Sequence, residues 1–330
     1  MTEQRFGYWP GDDRSAGSIR IGISSCLLGE EVRWNGGHTR DNYLTETLGQ
    51  YFDWVPVCPE EEVGMGVPRE RVRLVGDPER PRMVGIESGE DWTDRMHAYA
   101  EERISELQEE NLHGYILKKG SPSCSFQKQH VLGEDGNPAG ESRGLFAKEL
   151  LNRMALMPVE DEGRLHDPDL RENFIERIFA YVRWHRLLEQ DPSPGDLVAF
   201  HTAHKMALMA HHPDANRQLG QIVSKAGNGD LEEKLSQYGE EFMQTMEIQT
   251  TPGRHANVLD HLQGYVSEEL TADERQELSE EIDKYRRGVT PLIVPVTLLK
   301  HYFRKHPVDW VMKQTYLSPY PEELSLRNHV

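Results

Sequence analysis

Three apolar runs, "SIRIGISSC", "FDWVPVCPE" and "GYILKKGSPSC", each stop at a turn of Ser, Pro or Gly that carries a cysteine, and the chain has only these three cysteines. Short apolar runs bounded by turn residues are the pattern of strands buried in a sheet. Between them, "RDNYLTETLGQY" and "EDWTDRMHAYAEERISELQEENLHG" have helical spacing, with Gly114 standing where a helix C-cap belongs. "GLFAKELLNRMALMPVEDEGRL" adds a helix followed by a strand. Strands alternating with helices predict an α/β fold with a parallel, doubly wound sheet. Ligands of such sheets bind beyond the carboxyl ends of the strands, which is where Cys26, Cys58 and Cys124 fall.

From about residue 168 the pattern changes to long helices, "DLRENFIERIFAYVRWHRLLEQ" and "GDLVAFHTAHKMALMAH", separated by "DPSPGD". "PLIVPVTLL" reads equally as a strand or a buried helix, and Pro213, Pro252 and "KAGNGD" punctuate the helices. The expected organisation is a polar leader over 1–18, an α/β domain over 19–165 and a mainly α-helical domain over 168–330. The leader has neither the basic start nor the apolar run of a secretion signal, and no stretch reaches membrane-spanning length, so the cytoplasm is the expected location. An odd number of widely spaced cysteines argues against a disulfide framework and leaves the thiols free for metal or catalysis. With 37 basic against 56 acidic residues, a formal −19, the chain needs a local basic surface to meet any polyanion.

Free cysteines are often small buried hydrophobes. Three of them on three turns at one sheet edge favour a shared site instead. Structural zinc is normally four-coordinate and uses closely paired cysteines, which are absent. Thiolates equally suit an iron–sulfur cluster, and a cubane held by three leaves one iron open as a Lewis acid.

"SSCLLGEEVRWNGG", "VCPEEEVGMGVPR" and "LKKGSPSCS" resemble the three motifs of the thiouracil desulfidase (TudS-like) domain. "DLVAFHTAHKMALMAHHPDANRQLGQIV", "PGRHANVLDHLQGY" and "TPLIVPVTLLKHY" with "YLSPYPEELSLRN" resemble the helical YbgA-type domain that often follows it. The pair is similar to RudS-type desulfidases. That resemblance implies a Rossmann-like first domain and removal of sulfur from 4-thiouridine in tRNA to give uridine. It also implies a [4Fe-4S] cluster on Cys26, Cys58 and Cys124, with Glu60 and Ser121 as catalytic residues.

The residues suit this chemistry. Beside a cluster, Glu60 is expected to hold a raised pKa and move protons, while Glu61 and Glu62 form a solvated acidic turn. Ser121 is expected to donate to the ring or the developing oxyanion; alternatively it satisfies turn backbone. Arg33 and Asn35, beside the Gly36–Gly37 turn, are candidate substrate contacts. Lys118 and Lys119 are candidates to meet a phosphate or the cluster's charge, or to snorkel from a strand end. Ser125, where the family motif is expected to carry glycine, is expected to bond a cluster sulfur.

In the helical half, His201, His204 and Lys205 share a helix face by spacing. Metal is one reading of them. The preferred one is a polar face meeting the domain interface or RNA phosphate, together with Arg217, Lys225, Arg254 and His255. "YFRKH" near residue 304 suits nucleic acid or a solvated helix face. Two further functions stay open: desulfidation of free thiouracil or thionucleosides, and a non-catalytic iron–sulfur regulatory module.

Overall fold

The computed structural model describes residues 18–329, so the leader expected over 1–18 lies, except for Ser18, outside the described residues. The chain forms two compact units that part between residues 167 and 168.

The first unit contains, in chain order, β1 (Ile19–Ser24), β2 (Phe52–Val57), β3 (Val72–Asp77), β4 (Arg80–Gly85), α1 (Thr93–Glu109), β5 (Gly114–Leu117), β6 (Gln129–Leu132), β7 (Pro138–Ser142), α2 (Leu145–Arg153) and β8 (Val159–Asp161). Strands β2-β1-β5-β8 form a fully parallel sheet, the predicted α/β core. Its register sets Ile21 opposite both Trp54 and Gly114. The strands are apolar because they are enclosed: Ile21, Ile23, Tyr115, Ile116 and Leu117 are wholly buried. Gly22 is required here, since a Cβ at that position would stand 2.2 Å from the Tyr115 ring.

The chain leaves β1 to one side for β2 and returns on the other side for β5, so strand order reverses at β1. A crevice opens at the carboxyl ends of strands at such a reversal. Cys26 follows β1 in a single 3-10 turn, Cys58 follows β2 directly, and Cys124 lies seven residues past β5.

A second sheet, β4-β3-β6-β7, was not legible in the sequence. Its strands are short, charged and broken by Pro81, Gly76 and Gly140, and only β3 and β6 pair in parallel. Two local expectations also fail. Gly114 opens β5 and caps no helix: α1 ends at Glu109, and the left-handed residue is Asn111 at φ 52°. "NYLTETLGQ" forms a π turn and a 3-10 turn, not a regular helix.

The second unit is helical: α3 (Pro168–Leu188), α4 (Pro194–His211), α5 (Pro213–Ser224), α6 (Leu231–Glu247), α7 (Pro252–Val266), α8 (Ala272–Arg286), α9 (Ile293–Lys305) and the short α10 (Asp309–Met312). Ser193, His212, Asp230, Thr251 and Thr271 accept from first-turn amides, so the sequence's polar residues before Pro or acidic turns mark the helix starts. "PLIVPVTLL" lies largely in α9, whose Val296, Leu299 and Phe303 pack against Leu259, Leu262 and Val266 of α7 in one core. Among the described residues no helix is long and apolar enough to cross a membrane.

Candidate functional site

At the carboxyl end of the parallel sheet, a cavity of about 210 Å³ is walled by Cys26, Cys58 and Cys124 together. Glu60, Ser121, Arg33, Lys118 and Lys119 also line it; Asn35 does not. Asn35 Oδ1 accepts from Gly37 N at 3.2 Å and so closes the Arg33–Gly37 turn that carries Arg33 to the wall.

Glu60 is the most tightly held side chain of the site. Its Oε1 accepts from Ser121 Oγ and Ser123 Oγ, both at 2.7 Å. Its Oε2 accepts from Arg69 Nη2 at 2.6 Å and Nε at 3.3 Å. Burial alone would raise the carboxyl, but the Arg69 guanidinium and the two serine hydroxyls outweigh it and hold Glu60 below the usual carboxylate range. The expected raised pKa is therefore overturned. Neither Arg69 nor Ser123 was singled out in the sequence. Arg69 also binds the Val32 and Gly66 carbonyls at 2.9 and 3.0 Å, fixing the loop after Cys26 to the loop after Cys58.

The Cys124 turn is built on Ser121. Its Oγ accepts from Ser123 N and Cys124 N, both at 3.2 Å, while its carbonyl accepts from Ser125 N and Gln129 Nε2. Ser121 thus satisfies turn backbone and contacts Glu60 at once. Gly144 packs beneath this turn, where a Cβ would stand 2.4 Å from the Ser123 carbonyl. Ser125 Oγ donates to Gln127 O at 2.8 Å and accepts from Gly120 N, so its hydroxyl proton is used within the turn.

Glu62 is no idle member of an acidic turn. Its Oε1 accepts from Cys58 N at 2.7 Å and its Oε2 from Tyr99 OH at 2.6 Å, which orients the cysteine backbone. Lys118 is likewise occupied: its ammonium bonds the Glu162 carboxylate and the Lys119 carbonyl, and its amide donates to Ser24 Oγ at 2.9 Å. Arg33, Arg71 and Lys119 line the cavity without a carboxylate partner among the described residues. Trp34, 39% exposed, stands beside Arg71 with its ring 5.2 Å from the guanidinium carbon.

Burial pushes the thiols of Cys26 and Cys124 up, and that of Cys58 to about 11, so the three as thiols carry no charge at neutral pH. A bound metal would reverse this. Among the described residues no three His, Cys, Asp or Glu side chains converge on one ion position. Ser25 Oγ, on the same wall and in a residue 3% exposed, has no hydrogen-bond partner among the described residues. A cavity of soft donors with an orphaned hydroxyl fits a resident group.

The helical unit does not present the polar face expected of it. His204 is 1% exposed, stacks on Phe200 at 4.1 Å and bonds the Phe200 carbonyl; His201 meets Tyr238 OH at 3.2 Å. His255 is buried between Tyr316 OH and Thr250 Oγ1, and Arg254 binds the His211 carbonyl at 2.8 Å. Lys205 and Arg217 are exposed, and Arg217 pairs with Asp214. In "YFRKH" the aromatic residues Tyr302 and Phe303 are core, so no stacking surface exists there. Periodicity placed these residues on helices; it could not tell a wet face from a histidine buried with a carbonyl partner.

Comparison with known proteins adds two family matches. The model for 2-thiouracil desulfurase matches residues 21–162, and that described as "Protein of unknown function (DUF1722)" matches residues 205–321. The chain is similar to YbgA of Escherichia coli (strain K12), 35% identical over 158 residues, 48% of this chain and 94% of YbgA. It is similar to YbbK of Bacillus subtilis (strain 168), 33% identical over 107 residues, 31% of this chain and 70% of YbbK. A solved structure of the [4Fe-4S]-dependent thiouracil desulfidase TudS is 28% identical, covering 46% of this chain and 95% of that one, with a TM-score of 0.37.

Proposed function

This chain belongs to the family that joins a 2-thiouracil desulfurase domain to a DUF1722, YbgA-like domain, and we propose that it removes sulfur from 4-thiouridine in tRNA to give uridine. The first unit is a desulfidase domain of the thiouracil type. The observation that carries the proposal is the Glu60 carboxylate, held by Ser121, Ser123 and Arg69 in a cavity that all three cysteines wall.

Cys26, Cys58 and Cys124 would hold a [4Fe-4S] cluster with one iron lacking a protein ligand. Bound there, the cluster supplies a Lewis acid that draws electron density from a thiocarbonyl and eases departure of its sulfur. The net change is hydrolysis: water adds oxygen to the ring carbon, the carbon–sulfur bond breaks, and sulfide leaves with no change of oxidation state at carbon.

Glu60 takes the proton from that water. Its Oε1 is aimed by two hydroxyls and its Oε2 is clamped by Arg69, so the carboxylate cannot swing away during the transfer. Ser121, released from Glu60, donates to the ring oxygen as it forms. Pro122 and Val57 give the same cavity part of its apolar wall.

The phosphate-bearing substrate is favoured over a free base by Arg33, Arg71 and Lys119, three cations with no carboxylate partner among the described residues at one cavity of a chain with formal charge −19. Trp34 beside them offers a ring on which a neighbouring base can stack. The cavity volume also admits a free base, which keeps desulfidation of free thiouracil or thionucleosides as the second reading.

Anaerobic reconstitution followed by parallel incubation with thiolated tRNA and with free 4-thiouracil tests the proposal. Loss of 4-thiouridine from the tRNA, with sulfide released, is the expected result. Consumption of the free base alone would establish the second reading. Binding without loss of sulfur from either would show a regulatory module, and a colourless, iron-free protein would remove both cluster readings.

A further inference from the structure

The helical unit contains a cavity of about 140 Å³ that the sulfur chemistry does not use. It is lined by Glu172 and Glu176 of α3, His211 of α4, the start of α7, Tyr285 of α8 and Arg327 near the end of the chain. Among the described residues, three lining residues carry a buried polar atom with no hydrogen-bond partner: Arg327 Nη2, Thr290 Oγ1 and His211 Nε2, the last standing 3.6 Å from Glu176 Oε2. Arg327 is 4% exposed, and its other nitrogens are committed, Nε to Glu172 Oε1 at 2.8 Å and Nη1 to the Tyr316 carbonyl at 2.6 Å. A buried guanidinium N–H and a hydroxyl left unmade on one cavity call for an acceptor from outside the chain.

The charges around the cavity decide what that acceptor is. Glu176 is buried and has His211 Nε2 at 3.6 Å, the Glu172 side chain is 13% exposed, and Asp169 on the same wall pairs with His329 Nε2 at 2.7 Å. An anion such as phosphate would enter beside the carboxylates of Asp169, Glu172 and Glu176, and a cation would give Arg327 Nη2 and Thr290 Oγ1 no acceptor, so neither serves the unmade bonds. A neutral acceptor does. Glu172 Oε1 is taken by Arg327 and Tyr320, whereas Oε2 accepts from no described donor and can receive an N–H. The remaining wall includes Tyr285, Pro252 and Leu292, which suit a flat apolar face. At roughly 30 Å³ per liquid water, the space holds about five waters or a single six-membered ring.

We propose that the helical unit binds a small neutral ring bearing an amide edge, its carbonyl on Arg327 Nη2 and Thr290 Oγ1 and its N–H on Glu172 Oε2. Uracil is the simplest planar probe of this chemistry and 2-pyrrolidinone the simplest non-planar one. The inference uses none of the cysteine-site residues and stands or falls apart from the desulfidase reading.

The full chain is titrated with uracil, 2-pyrrolidinone and inorganic phosphate while the imidazole NMR resonances of His211 and His255, both in this cavity, are followed. Saturable shifts with uracil or 2-pyrrolidinone are expected, and which of the two binds more tightly reports whether the slot requires a planar ring. Thr290→Val, which keeps the side-chain shape, is expected to weaken binding about tenfold, the effect of one lost hydrogen bond. Arg327→Lys is expected to weaken it further if the variant folds. Absence of a shift with either amide, an unchanged Thr290→Val titration, or saturable binding of phosphate in their place overturns the proposal.

Discussion

Ser121 Oγ donates a 2.7 Å hydrogen bond to Glu60 Oε1 across 61 positions of sequence, and Ser123 Oγ donates another of equal length to the same oxygen. The turn that carries one cysteine therefore fixes the carboxylate that follows another. In the proposed reaction these two bonds would couple cluster ligation to proton transfer.

Replacing Glu60 by Gln keeps the shape of the side chain and removes its ability to take a proton. The rate of 4-thiouridine loss is expected to fall by about 10²–10⁴. Iron content after anaerobic reconstitution is expected to stay at the wild-type level. A parallel loss of iron would instead make Glu60 a scaffold of the cysteine loops.

Arg69→Met leaves a Glu60 carboxylate buried without its cation, the pair having side chains only 5% and 15% exposed. Breaking a buried pair from one side costs about 3–5 kcal/mol, read as a lowered urea midpoint. Adding Glu60→Gln to this variant is expected to recover part of that loss, because the stranded charge is gone. Equal midpoints for the single and double variants would show that the ion pair is not the source of the effect.

Gly144→Ala puts a methyl group 2.4 Å from the Ser123 carbonyl and 2.7 Å from Ser125 N. The backbone of the Cys124 turn has to move, at about 1–3 kcal/mol. Lower iron occupancy with an otherwise wild-type circular dichroism spectrum is the expected outcome. Gly227→Ala, where nothing lies within 4 Å of the added carbon, serves as the control.

Burial holds His201, His204 and His255 well below the ordinary imidazole range, to about 4, 3 and 3, with nearby Lys205, Arg183 and Arg327 acting in the same direction. Folded, these imidazoles stay neutral down to about pH 4; unfolded, they take protons below about pH 6.5. The unfolded chain thus binds more protons in this window, so stability is fully present above it and falls as the pH drops. The slope approaches about 1.4 kcal/mol per pH unit for each histidine. Urea unfolding at pH 7 and pH 5, followed by the indole NMR signal of Trp184 in this core, is expected to show a clearly lower midpoint at pH 5. Identical midpoints would contradict the assignment of these histidines as buried and neutral.

The sequence by itself determined the parallel sheet and the meeting of the cysteines. Both follow from local pattern: apolar runs that stop at turns make enclosed strands, and strand ends on one sheet edge bring their turns together without any long-range information. Cys26, Cys58 and Cys124 were legible for that reason, as was the change to helices near residue 168, whereas Glu60 and Ser121 stood out through the resemblance to the thiouracil desulfidase motifs.

Tertiary structure alone decided the rest, because each remaining property depends on a partner distant in sequence or on which face is buried. Glu60 is held as a low carboxylate by Arg69 and two serines, although burial by itself would raise it. Lys118 and Ser125, candidates for ligand contact by position, are consumed by Glu162 and by loop backbone. The second sheet is polar and short, so only pairing between its strands reveals it. His204 and His255 sit at helical spacings that fit solvent or core equally, and packing against Phe200 and Tyr316 places them in the core. Arg327 shows most plainly why: a guanidinium near the end of the chain acquires its meaning from Glu172, 155 residues earlier, and from the cavity they share.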